Sequence, residues 1–370
     1  MAVEVNKKRL VDTFLNLARI RSPSKKEEEI SHFVEKIFID LKADEIFYDD
    51  YRNLIIRFNG EGDFVMLNSH LDTVEDTPDI NIQIDGDVIR TDGKTILGAD
   101  AKAGVAEIIE AIRMLKENNL NHRAIEVVFT REEEIGLFGA KNLDYSKLKS
   151  KYGFVLDHGD VDEVVVGAPS ACRIHIKIYG IKAHAGASPE KGINAIQVAS
   201  KAIARMPCGR IDSETTANVG VIKGGTASNI VPDYVEIKAE ARSHKEYKLE
   251  MVVNEIKKCV FDAIKESAKI IDGELKFARD EIDIRKDYKC FRISEDDEIV
   301  REVFEAGRHL GFDMHTAISG GGSDANIFNE KGIKCVILGT GMQKVHTHQE
   351  FIKISDMVNA TKLIFELIKR

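Results

Sequence analysis

The sequence has no tryptophan, only six prolines, and five cysteines that nowhere form a C-x-x-C pair. Cys172, Cys208, Cys259, Cys290 and Cys335 are odd in number and far apart, which argues against both a disulfide framework and a cysteine zinc site. No run reaches the ~18 uninterrupted apolar residues of a membrane span. The first 20 residues carry apolar positions at helical spacing (Leu10, Val11, Phe14, Leu15, Leu17). Asp12, Asn16 and Arg19 interrupt them, so the unbroken core of a signal peptide is missing. Lysine and arginine are scattered rather than gathered into a stripe, and a formal net charge of −9 gives nucleic acid no electrostatic attraction. These absences predict a cytoplasmic protein with neither membrane nor nucleic acid as partner.

What is present points to an enzyme-sized α/β protein. At 370 residues, 43% hydrophobic and 31% charged, the chain is long enough for two domains. Ser24 followed by Glu27 reads as a capping box ahead of the amphipathic stripe Ile30, Phe33, Val34, Ile37 and Leu41. Short buried runs (64–67, 125–129, 154–156, 335–338) are then separated by helical patterns such as 105–116. That alternation predicts a mixed, largely parallel sheet flanked by helices. The middle of the chain changes character. Ile174, Ile176 and Ile178 alternate with His175, Lys177 and Tyr179 as in a strand with one wet face. A helix over 193–206, strands near 218–222 and 234–241, a helix over 247–270 and a strand near 274–282 complete a separate α+β unit. The expected organisation is therefore one domain of residues 1–170 plus 286–370, carrying an inserted lid or dimerisation domain over 171–285.

The buried runs end in ionisable residues. The first leads into Asn68-Ser69-His70-Leu71-Asp72, the second into Glu132-Glu133-Glu134, and the third into Asp157. The fourth leads into a loop with His346, His348 and Glu350, while Asp100 stands at a helix start. Strand carboxyl ends share one edge of a parallel sheet, so these groups converge there. Taken singly, an H-x-D is a hydrogen-bonded loop, a glutamate run a solvated helix start, and an aspartate after a strand a turn residue. Together they place several carboxylates within a few ångströms, where they cannot all stay ionised without cations. Mixed histidine and carboxylate donors favour two zinc ions, with cobalt or manganese as substitutes. The charges of Asp100, Asp157, Glu134 and one hydroxide would balance two such ions.

Motifs along nearly the whole chain then carry a resemblance. H-L-D-T-V at 70–74, G-A-D-A-K-A-G at 98–104, E-E-I-G at 133–136 and K-A-H-A-G at 182–186 resemble the di-zinc exopeptidase family of peptidase T, carboxypeptidase G and the aminoacylases. So do G-G-T-A-S-N at 224–229, S-G-G-G-S-D-A-N at 319–326 and H-T-H-Q-E at 346–350. The chain most resembles the peptidase T-like, or tripeptidase, branch. That resemblance implies an aminotripeptidase, with a carboxypeptidase or N-acyl-amino-acid amidohydrolase as the alternative on the same scaffold. It implies that His70 and Asp157 hold one zinc, Glu134 and His346 the other, and Asp100 bridges them, with His348 the alternative to His346. Asp72 would orient His70. Glu133 would be the general base acting on a metal-bridging water, leaving Glu132 in solvent. His184 would stabilise the oxyanion, in many relatives across a homodimer formed through the inserted domain. Asn229 and Arg242 would grip a substrate carboxylate. One departure stands out: Ala101 follows Asp100 where many relatives carry a second acid, which bears on the fine structure of that loop.

Overall fold

Val127, Val128 and Phe129, like Val65, Met66 and Leu67, are fully buried, as strands covered on both faces must be. In a computed structural model that describes residues 3–370, the chain divides into two compact units. One is Met1–Gly167 with Arg292–Arg370; the other is Ala168–Phe291. The first unit holds an eight-stranded sheet made of β1 (Glu45–Tyr48), β2 (Leu54–Phe58), β3 (Glu61–His70), β4 (Arg123–Thr130), β5 (Tyr152–His158), β6 (Glu163–Val165), β7 (His315–Ala317) and β8 (Lys334–Gly339). Their order is β1-β2-β4-β3-β5-β8-β6-β7. The central strands β4, β3, β5 and β8 are mutually parallel, whereas β2 and β6 run against them. The fold is thus mixed α/β with a largely parallel sheet flanked by helices, and the carboxyl ends of four strands lie along one edge.

The helix Ala99–Glu117 is buried along almost its whole length and lies unusually close to this sheet. A Cβ at Gly104 would sit 2.7 Å from Leu156 Cβ and 2.9 Å from Ser69 Oγ, so only glycine permits the approach. That contact brings the start of the helix, with Asp100, beside the ends of β3 and β5.

The same helix buries Glu107 completely, and neither of its carboxylate oxygens meets a hydrogen-bonding group of the protein. Burial pushes this carboxyl well above its ordinary range, with Asp356 adding to the effect. The folded state therefore holds a proton that the unfolded chain releases, and stability declines as pH rises past the unfolded-state value. Glu107→Met is expected to raise the melting temperature, by about 2–4 °C for each kcal/mol recovered. The gain should be larger at pH 8 than at pH 5; an equal gain at both would mean the carboxyl is not held neutral.

Two local expectations are corrected. Ser24 and Glu27 do not form a capping box: the helix is Glu28–Asp40 and has no side-chain cap. Ser24 Oγ instead donates to Asp72 Oδ2 at 2.6 Å, and Glu27 accepts from Arg131 at 2.6 Å, partners remote in sequence and stronger than a cap. The long helix of the second unit, expected to reach residue 270, ends at Glu266. Lys269–Ile271 and Glu274–Lys276 form a hairpin across Asp272-Gly273, the turn chemistry that favours paired strands.

Within the second unit, five antiparallel strands run in the order Gly209–Asp212, Thr215–Gly224, Tyr234–Ser243, Ser170–Tyr179 and Arg279–Tyr288. Ile174, Ile176 and Ile178 face the helices Ala195–Ile203 and Glu246–Glu266 in a core of their own. The helix expected over 193–206 is the shorter of these two.

Candidate metal centre

β3 ends at His70, and its imidazole is almost fully buried. Nε2 lies 3.0 Å from Asp100 Oδ1 and 3.6 Å from Asp157 Oδ1, while Nδ1 is 3.0 Å from the Asp72 backbone oxygen. His346 approaches from the loop after β8, its Nε2 3.2 Å from Asp100 Oδ2 and 3.0 Å from Glu134 Oε2. Asp100 thus turns one oxygen to each histidine, producing two neighbouring nests of donors that share a single carboxylate. Among the described residues, His70, Asp100 and Glu134 place ligand atoms within 4.8 Å of one another. His348 pairs instead with Glu75, at 3.0 Å.

Behind these groups stands a layer of carboxylates that fix backbone. Asp72, fully buried, accepts from the Glu133 N–H at 3.0 Å and the Glu134 N–H at 3.2 Å while lying 3.5 Å from His70 Nδ1. One side chain thereby ties the end of β3 to the loop after β4. Glu350 accepts from Leu97 and Gly98 N–H at 2.7 and 2.8 Å and from Asp100 N–H at 3.1 Å. It anchors the loop that presents Asp100. The Asp100–Ala101 peptide is cis, and Ser69 Oγ donates to the Ala101 carbonyl at 2.9 Å.

The electrostatics describe a site built around positive charge. Hydrogen bonds donated to the carboxylates of Asp100 and Glu134 raise His346 to about 10. Burial would lower His70, yet Asp100, Asp157 and Asp72 raise it well above its ordinary value. Burial pushes Asp157 up to about 7 against the pull of His70. Burial likewise raises Glu134, and drives Glu133 well above the usual carboxylate range against the pull of His70, with Asp157 and Glu134 adding. Glu134 Oε1 is buried and meets no hydrogen-bond donor. Crowded buried carboxylates, histidines drawn toward protonation and an unpaired ligand oxygen are what divalent cations would relieve, so this donor set fits them.

Three residues near the centre carry no role predicted from sequence. Glu350 was legible as part of H-T-H-Q-E, but its grip on residues 97–100 was not. Asp324, in the Gly-rich S-G-G-G-S-D-A-N run, is buried and accepts from Thr130 Oγ1 at the end of β4. Its burial raises it to about 6, partly offset by that bond. Lys102 is fully buried, donates to Ile20 O at 2.8 Å, and is lowered to about 7 by burial. Glu132 is half-buried, its backbone N–H held by Glu27 at 3.1 Å.

The other predicted residues belong to the second unit. His184 is exposed, and its Nδ1 accepts from the N–H groups of Gly186 (3.2 Å) and Ala187 (3.1 Å). That arrangement leaves the ring proton on Nε2. Arg242 spends Nε and Nη2 on the two oxygens of Glu240, at 3.1 and 3.0 Å. Asn229 is exposed, and its carbonyl accepts from Ala185 N–H at 3.0 Å.

The chain is similar to known proteins along nearly its whole length. Residues 66–370 match the model of peptidase family M20/M25/M40. The uncharacterized protein YqjE of Bacillus subtilis (strain 168) is 41% identical over 376 residues, spanning 99% of both chains. Peptidase T of Geobacillus sp. (strain WCH70) is 28% identical over 321 residues, covering 84% of this chain and 75% of its own. Aminopeptidase PepT from Bacillus cereus ATCC 10987 superposes with a TM-score of 0.86 at 40% identity, covering 98% of each chain. A tripeptidase from Staphylococcus aureus subsp. aureus Mu50 reaches 0.91 at 36% identity, covering 99% of this chain and 98% of its own.

Proposed function

Because the chain belongs to peptidase family M20/M25/M40, we propose that it is a metal-dependent aminotripeptidase, cleaving the first residue from short peptides with a free amino terminus. The observation that carries this is the shared Asp100, with one oxygen toward His70 and the other toward His346. His70, Asp157 and Asp100 would hold one ion, and Glu134, His346 and Asp100 the second; zinc suits the donors, with cobalt or manganese as substitutes. Bound there, the ions would supply Lewis acidity to the scissile carbonyl and to a water. Glu133 takes the proton of that water and returns it to the departing amine. Its raised affinity for a proton suits this shuttle, and its backbone is held by Asp72.

His184 supplies a hydrogen-bond donor at Nε2 for the oxyanion. Arg242, oriented by Glu240, keeps Nη1 for a substrate carboxylate, with Asn229 beside it in role. The second unit acts as lid and dimer contact, a role supported by the ten-residue strand Arg279–Tyr288 at one edge of its sheet. Sedimentation or light scattering would then give twice the chain mass. A cytoplasmic site of action is consistent with five free cysteines and with no described helix long and apolar enough to cross a membrane.

The test is hydrolysis of a free tripeptide beside its N-acetylated form by chelated protein, with and without zinc. Zinc-restored cleavage of the free peptide alone is the expected result. Cleavage of only the blocked peptide would move the enzyme to the deacylase or carboxypeptidase side.

A further inference from the structure

Two histidines and a glutamate meet on the same sheet edge, outside the centre described above. His158, the last residue of β5, places Nε2 2.6 Å from Glu163 Oε2. His315, the first residue of β7, places Nε2 3.3 Å from Glu163 Oε1. The sheet explains the meeting. β6 and β7 are parallel with Glu163 and His315 in direct register, and both run opposite to β8, so their first residues share the edge where β5 ends. One carboxylate thus stands between two imidazoles.

We propose that His158, Glu163 and His315 form an accessory site for a third divalent transition metal, distinct from the pair bound at Asp100. Two imidazoles and a carboxylate are the donor set that selects zinc, cobalt or nickel over magnesium or calcium. The His158–Glu163 separation is short enough for both to reach one ion, each neutral imidazole offering Nε2 to the metal with its ring proton carried on Nδ1. His158 is the fixed member, since its carbonyl accepts from Thr340 N–H at 2.8 Å. His315 is the adjustable one. Its side chain is 54% exposed, whereas those of His158 and Glu163 are 27% and 23% exposed. The two imidazole nitrogens flank the carboxylate on different oxygens without converging on one point, and a rotation of the exposed His315 toward His158 would close the set around one ion.

The carboxylate is ready for this task, because its hydrogen bond with His158 holds Glu163 below its usual range and therefore ionised at neutral pH. The site also has a structural consequence. His158 directly follows Asp157, so an ion here would fasten the end of β5 to β6 and β7 one residue beyond a group of the central cluster.

The experiment is a zinc titration of the holoenzyme, already loaded at the central site, against a chromophoric chelator. Wild type is expected to take up one further equivalent, weaker than the first two, and His315→Ala and Glu163→Gln should each lose that equivalent and keep the others. Cobalt added in place of the extra zinc should produce a visible band absent from His315→Ala. Wild type saturating at two equivalents, or a third equivalent retained by His315→Ala, would overturn the proposal. Failure of the dinuclear centre is separable, since it would appear as fewer than two tight equivalents in wild type. Because His315 is exposed on a short edge strand, its alanine variant keeps the test open even if Glu163→Gln folds poorly.

Discussion

Glu133→Gln is expected to lower kcat by about 10²–10⁴-fold while the protein keeps its full complement of metal. Glutamine preserves the shape of the side chain and the backbone N–H that Asp72 holds at 3.0 Å. What it removes is the ability to take a proton. The neighbouring Glu134, with its oxygen 3.0 Å from His346, stays in place, so the ligand set remains intact. Metal analysis beside tripeptide turnover therefore separates two roles that adjacent glutamates could exchange. Turnover within tenfold of wild type would place the base elsewhere. Loss of metal together with activity would mean that the registers of Glu133 and Glu134 are interchanged.

The second large effect is expected at a residue that makes no direct approach to the central histidines. Glu350→Gln should weaken zinc binding by about 10–100-fold, the usual consequence of removing a group that orients a metal ligand. The carboxylate of Glu350 accepts three backbone N–H groups from residues 97, 98 and 100. A glutamine offers a single acceptor oxygen and turns an amide group toward donors, so at least one of those N–H groups loses its partner. Asp100 would then no longer be held with one oxygen toward each histidine. Because the shared carboxylate serves both positions, the loss should appear in both zinc equivalents and not in one alone. Competition with a chelator measures this, and unchanged affinity would show that the loop keeps its shape without Glu350.

The sequence exposes some of this architecture and hides the rest for identifiable reasons. Strands β3, β4, β5 and β8 were legible because uninterrupted buried runs signal strands covered on both faces, and each ends abruptly in polar residues. The convergence of His70, Glu134, Asp157 and His346 follows from the parallel order of those strands, without any knowledge of side-chain contacts. Ser24 and Glu27 were misread because a local pattern competed with distant partners. Asp72 and Arg131 claim them, and both are remote in sequence. Glu350, Asp324 and Lys102 escaped because their work is done on backbone amides, a hydroxyl and a carbonyl, groups present at every position and therefore without a pattern. Glu107 is the same problem inverted. A glutamate in a helix reads as solvated surface, and only the packing of Ala99–Glu117 makes it a buried carboxyl.

The position of β8 bears on when the protein becomes dangerous to its surroundings. This strand is the last of the sheet to leave the ribosome, yet it belongs between β5 and β6, near the middle. His346 and Glu350 follow it by only a few residues. A nascent chain can therefore lay down β3, β4 and β5, with His70, Asp100 and Glu134 already made, and still have a gap where β8 will enter. Non-local pairing of this kind is slow and comes late. The peptide-cleaving centre is thus armed only once β8 and the loop behind it have been made, and a chain released before that carries most of the machinery with the final histidine missing.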